Sequence, residues 1–248
     1  MAHDPIMEVY PGYLAGPGGA AQSLSDFLAG RNDWNIHHST SSTAVIHEKA
    51  TTLLELDHSS SAGPRWTLAG YRTPNGRLDW TATFCPRTPA EVPTAVLRRL
   101  AYALSQPTDA KRDRQLWGST NTGPEKAIEH EVDFTGDQWR RGGDLTGLLM
   151  YTSPHATAGI NIDGLHANRP LDLDPVFTVW GGIPGREHER WRARFTRWTP
   201  TVLITEAVRT VTRPAAYRRL SSQIPMAHRA RLFTSPLHRP HPETTRAR

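Results

Sequence analysis

Residues 190–195, Arg-Trp-Arg-Ala-Arg-Phe, alternate cation and apolar side chain. In an extended strand successive side chains point to opposite faces, so Trp191, Ala193 and Phe195 share one face and Arg190, Arg192 and Arg194 the other. The run Val176–Trp180 reads the same way, with Phe177 and Val179 inward and Thr178 and Trp180 outward. Arg197 and Trp198 follow at the adjoining corner. Guanidinium groups grip phosphates in pairs, and an exposed indole stacks on a base for roughly 1–3 kcal/mol. These six residues, Trp180, Arg190, Arg192, Arg194, Arg197 and Trp198, are therefore the expected nucleic-acid-binding site for DNA or RNA. The competing expectation is packing: the outer sheet faces would meet each other, a protein partner or a second copy, with Trp180 as interface core. Asn161 and Asp163 fall on the same outer face and would pair some of the arginines.

Other chemistries find little footing. His37 and His38 are consecutive, so a strand would point them apart, and His47 and His58 lie on separate strands or strand ends. There is no Cys cluster, no His-Glu-x-x-His helix, no Gly-x-Ser-x-Gly elbow and no Walker phosphate loop. Gly16-Pro-Gly-Gly19 lacks the Lys-Ser/Thr that would meet phosphates and reads as a turn, and Asp163, Asp172 and Asp174 read as a solvated acidic loop. Asp79 and Glu91 fail as an acid/base pair because Glu91 is expected in a helix cap. No enzyme, cofactor or metal is expected.

Composition agrees with a binding role. The 248 residues carry a net charge of +5 and a pI near 9.7. Through residue 106 there are 8 Arg and Lys against 9 Asp and Glu, whereas from Arg186 onward 14 Arg face 4 acids. A positive field concentrated at one end favours a polyanion. Arg218, Arg219, Arg229, Arg231, Arg239, Arg246 and Arg248 would add phosphate affinity that fades with salt. One cysteine, Cys85, rules out an internal disulfide and fits a reducing compartment. No signal-peptide pattern and no long apolar run is present, so a cytoplasmic protein without a membrane is expected.

The strands that position the arginines occur twice. Shifting the chain by 111 residues lays Trp66-Thr-Leu-Ala-Gly70 on Phe177-Thr-Val-Trp-Gly181, and Trp80, Ala82, Phe84, Thr88 and Pro89 on Trp191, Ala193, Phe195, Thr199 and Pro200. A shift of 106 lays residues 50–57 on 156–163. The difference falls in a loop, where insertions are tolerated. Strands are expected at Thr43–Glu48, Thr52–Asp57, Arg65–Tyr71 and Arg77–Phe84, with another near Trp34–His37. A helix follows, capped by Thr88, Pro89 and Glu91, that buries Val92, Val96, Leu97, Leu100 and Leu104. The second set is Leu148–Thr152, Gly159–Asp163, Val176–Trp180 and His188–Phe195, then a helix from Thr199 that buries Leu203, Ala207, Val208 and Val211 and stops at Pro214.

The expected fold is thus α+β: a tandem repeat of a small antiparallel sheet followed by one C-terminal helix, around a pseudo-twofold axis. The repeats span 9–106 and 131–220, with a polar linker at 107–130 and a disordered basic tail at 221–248.

The pattern resembles the actinobacterial SPDY family, a domain of unknown function often found in tandem. The carriers are Pro11-Gly-Tyr-Leu-Ala-Gly16, Trp34, Trp66, Trp80-x-Ala-x-Phe84 and Thr88-Pro89-Ala-Glu91. The namesake Ser-Pro-Asp turn falls at Ser153-Pro154-His155, with His in place of Asp, and at His47-Glu48-Lys49 it is lost. The resemblance implies an intracellular actinobacterial protein and transfers no activity.

Overall fold

The computed structural model describes residues 4–236 except 50, 62, 64, 75, 118–122, 134, 136–138, 146 and 166–172. The chain runs β1 (Ile6–Tyr10), a 3-10 turn (Gly12–Leu14), α1 (Ala20–Leu28), β2 (Trp34–His38), β3 (Ser42–His47), β4 (Thr52–Asp57), β5 (Trp66–Tyr71) and β6 (Leu78–Phe84). Three helices follow: α2 (Glu91–Leu104), α3 (Asp109–Trp117) and α4 (Pro124–Asp133). Next come β7 (Arg140–Gly143), β8 (Leu148–Thr152), β9 (Ala158–Asp163), β10 (Pro175–Gly181), β11 (Trp191–Thr196) and α5 (Thr201–Thr212), and last β12 (Tyr217–Leu220) and β13 (Phe233–Pro236). The architecture is mixed helix and antiparallel sheet.

Ten strands form one sheet in the order β2-β3-β4-β5-β6-β11-β10-β9-β8-β7. Two meanders meet where β6 pairs β11, Phe84 opposite Ala193, Thr83 opposite Arg194 and Ala82 opposite Phe195. The hydrogen bonds at this seam are reciprocated. Thr88 Oγ1 donates to the Arg192 carbonyl at 3.2 Å, and Thr199 Oγ1 to the Thr81 carbonyl at 3.1 Å. Cys85 Sγ accepts the Arg192 amide at 3.2 Å, and Thr196 Oγ1 accepts the Thr81 amide at 3.0 Å.

The alternation expected for the seam strands is present. Trp80, Ala82, Phe84, Trp191, Ala193 and Phe195 are buried, and the rings of Phe84 and Phe195 meet edge to face with centroids 5.9 Å apart. Helices α2 and α5 pack on each other over this face. Their stripes, Val92, Val96, Leu97, Leu100 and Leu104 in one and Leu203, Ala207, Val208 and Val211 in the other, fill the core as the periodicity requires.

Several expectations are corrected. The helix after β6 begins at Glu91, so Thr88 serves the seam in place of a helix cap, and the Glu91 carboxylate pairs with Arg219. Residues 107–130 are not a bare linker. Thr108 Oγ1 receives the Lys111 amide at the start of α3, and Pro124 opens α4 at a position where its missing N–H costs nothing. Helix α4 packs on α5 through Ile128 and Val132, and the buried Glu131 receives Arg209 and Arg213.

The basic tail is also ordered through residue 236. Strands β12 and β13 flank β1 in a separate three-stranded sheet. Arg219, expected in solvent, is 4% exposed and donates to both Glu91 oxygens, at 2.6 and 2.7 Å, and to the Gly16 carbonyl at 3.0 Å. His228 is buried with Nδ1 2.8 Å from the Leu14 carbonyl. Arg239, Arg246 and Arg248 lie outside the described residues. Nor does the N-terminal segment belong to the first meander: β1 pairs only with β12 and β13, and Gly12–Leu14 packs against the second.

Two predictions follow from these buried polar groups. Replacing Arg219 by Ala leaves Glu91 and the Gly16 carbonyl without their donors and should cost about 2–3 kcal/mol, read as a lowered midpoint in urea unfolding. His47 is 2% exposed, edge-on to Trp34, with the Lys49 amide donating to its Nδ1 at 3.3 Å. Burial pushes its pKa below the ordinary 6.5, against the pull of Asp33. Its neutral form is therefore bound in the fold while the unfolded chain takes up a proton below pH 6.5. Stability should be full above that pH and fall as pH drops below it, by at most about 1.4 kcal/mol per pH unit from this group. A His47→Gln variant should show a flatter dependence of Tm on pH over this range.

Candidate functional site

The face of the ten-stranded sheet opposite α2 and α5 carries the arginine row. Across the middle of this face Glu55, Thr67, Thr83, Arg194, Thr178 and Asn161 stand opposite one another strand by strand. All six are half-exposed or exposed. Arg194 stands at the seam itself, exposed and without a partner among the described residues.

A second line runs Arg192, Trp180, Gly159, Thr152 and Arg140. Arg192 is half-buried and donates to the Glu187 carbonyl at 3.2 Å, keeping the rest of its guanidinium outward. Arg140 is exposed at the far end, four strands away and so roughly 19 Å off. The expected site did not include Arg140; the only sign in the sequence is the pair Arg140-Arg141, which breaks no pattern on its own.

Trp180 faces outward as its strand phase requires, but it is not a stacking platform. Its indole lies across Gly159, where any Cβ would collide with the ring, and Nε1 donates to Asn161 Oδ1 at 3.1 Å. The Arg190 guanidinium covers the ring at 4.1 Å from its centroid and pairs with the Glu187 carboxylate at 2.9 Å. Trp180 is left 7% exposed and Arg190 is neutralised. Glu187 is held below the usual carboxylate range by its own backbone amide and then by Arg190. The outer faces of the two meanders are continuous in one sheet, so they do not pack on each other.

Arg197 and Trp198 separate from the row. The Arg197 guanidinium sits 5.2 Å from the Trp198 ring centroid, and Trp198, 46% exposed, borders a cavity on the helix side of the sheet. That cavity, about 850 Å³, lies between the β5–β6 hairpin, α2 and α3. Thr51, Gly70, Trp80 and Leu104 line it together with Leu116 and Trp198. Its rim is charged: Arg72 pairs with Asp79 at 3.6 Å and Arg112 with Asp109 at 2.9 Å, while the side chains of Lys49, Arg77 and Asp113 have no partner among the described residues.

The histidines do not gather. His38 Nδ1 and His58 Nε2 lie 3.1 and 2.9 Å from one hydroxyl, that of Thr43, and His47 is sealed in the core. Among the described residues no three His, Cys, Asp or Glu side chains converge, and no helix is long and apolar enough to cross a membrane.

No curated protein and no solved structure matches the chain. One domain family does, over the β4–α2 stretch that builds most of the cavity wall: residues 49–107 are similar to SPDY, a domain of unknown function (DUF317).

Proposed function

We propose that the chain comprises two copies of one helix–five-strand–helix unit, and that the outer face of their common sheet binds the phosphate backbone of a nucleic acid. The two-copy reading is supported by the reciprocal seam bonds: exchanging each residue for its counterpart 111 positions away turns Thr88–Arg192 into Thr199–Thr81, and Cys85–Arg192 into Thr196–Thr81. Thr83 opposite Arg194 is such a pair of counterparts and marks the pseudo-twofold axis.

The observation that carries the binding reading is Arg194, exposed at that axis, with Arg192 beside it and Arg140 four strands away, on a face against which no helix packs among the described residues. With Trp180 sealed under Arg190, the expected stacking platform is closed, so the ligand is held by charge and is not preferred as a single strand. Arg190 and Arg197 drop out of the contact set, and Trp198 belongs to the cavity. Any protein using this mode needs no catalytic residue, and the chain acts as an accessory binder.

Fluorescence anisotropy with a labelled duplex and a labelled single strand, between about 50 and 200 mM salt, tests this reading. The slope of log K against log[salt] should flatten by roughly 2 in an Arg192→Ala/Arg194→Ala variant, and stay unchanged in Arg190→Ala. Equal slopes for the double variant and the parent would refute the sheet-face site. A second reading, docking of another protein or a second copy, is favoured by Ile46, Leu53 and Met150, which stand half-exposed or exposed on the same face. It predicts association that sedimentation detects without nucleic acid and that salt leaves unchanged.

A further inference from the structure

The cavity beside Trp80 has a counterpart in the second meander, and there it is full. The occupant is the chain's own turn Gly12–Leu14, all of it buried. The Trp191 indole Nε1 donates to the Tyr13 carbonyl at 2.7 Å. The Tyr13 hydroxyl meets Thr157 Oγ1 at 3.0 Å, and the Gly12 amide donates to the Ala215 carbonyl at 2.8 Å. Shifts of 111 and 106 residues carry Trp191, Ala215 and Thr157 onto Trp80, Leu104 and Thr51, and all three line the cavity.

The two indoles are posed alike. A Cβ at Gly181 would meet Trp191 Nε1, and a Cβ at Gly70 would meet Trp80 Nε1. Only their partners differ. Trp80 is 7% exposed, yet its indole N–H has no acceptor among the described residues, and the Thr51 hydroxyl has no partner either. The Trp80 N–H therefore opens onto the cavity, where a ligand carbonyl can take the place of water.

We infer that this cavity is a seat for a tyrosine-bearing turn of another polypeptide, held as Gly12–Leu14 is held in the second meander. The inference rests on the two-copy reading and goes beyond the nucleic-acid face. A backbone carbonyl accepts from Trp80, a phenol meets Thr51, and Leu100, Leu104, Leu116 and Trp198 enclose the ring. The one Gly-Tyr-Leu segment of these 248 residues fills the other seat, so the proposed occupant is a turn from beyond them. Among the unpaired rim charges the two cations, Lys49 and Arg77, outnumber the one acid, Asp113, which favours an acidic residue flanking the turn.

A peptide of residues 8–17, Glu-Val-Tyr-Pro-Gly-Tyr-Leu-Ala-Gly-Pro, is the probe, titrated calorimetrically into the full chain. Saturable binding is expected, weakened roughly ten- to hundredfold by Trp80→Phe, which keeps a ring but removes the donor, and also by Thr51→Val. A peptide with Ala in place of the tyrosine that corresponds to Tyr13 should not bind. Absence of saturable binding, equal affinity of the Ala peptide, or indifference to both substitutions overturns the seat. So does full competition by N-acetyl-tyrosinamide, which would mark a small-molecule site. Trp191→Phe separates the two readings. If it lowers Tm by several degrees while the peptide fails to bind, the seat falls and the two-copy reading stands. If Tm is unchanged, the correspondence between the seats fails with it.

Discussion

Three residue pairs between β6 and β11 hold the architecture together. Antiparallel pairing of two meanders at their last strands makes ten strands one sheet, with Thr83 opposite Arg194 at the middle of the junction. Because side chains alternate, the register that buries Phe84 against Phe195 must also turn Thr83 and Arg194 outward. A slip of β11 by one residue would bury the Arg194 guanidinium and turn the Phe195 ring outward, away from Phe84. Core packing and the charge pattern of the outer face are thus one constraint. The seam's side-chain bonds, from Thr88, Thr199, Thr196 and Cys85, enforce it.

Much of this was legible in the sequence because it is periodic. The inward faces of β6 and β11, the stripes of α2 and α5, and the correspondence between Trp80 and Trp191 all repeat at fixed intervals, and burial follows. What could not be read there is burial by partnership. Arg219, His228 and Glu131 are polar residues whose places are set by Glu91, Leu14 and the Arg209–Arg213 pair, all far off in sequence. A composition dominated by Arg, Pro and His therefore looked like a solvated tail, and residues 107–130 looked like a linker although Ile128 and Val132 form an apolar pair four residues apart.

The candidate site divides in the same way. Strand phase placed Arg192, Arg194 and Trp180 on one face, as the structure has them. Phase says nothing about a third body lying on top, and the Arg190 stack over Trp180 depends on Glu187 in a one-turn segment just before β11. A charged row and an aromatic on a strand are not yet an accessible surface; the intervening acid decides how many of the cations remain free.

The three-stranded sheet places a demand on how the molecule is made. Among the described residues strand β1 pairs with β12 and β13 alone, and Gly12–Leu14 closes onto residues 157–228. During synthesis from the N-terminus, residues 6–14 therefore stay unsatisfied until more than two hundred others have left the ribosome. Over that interval a nascent chain exposes an unpaired strand edge and a free tyrosine turn, so residues 6–14 need shelter from neighbouring chains.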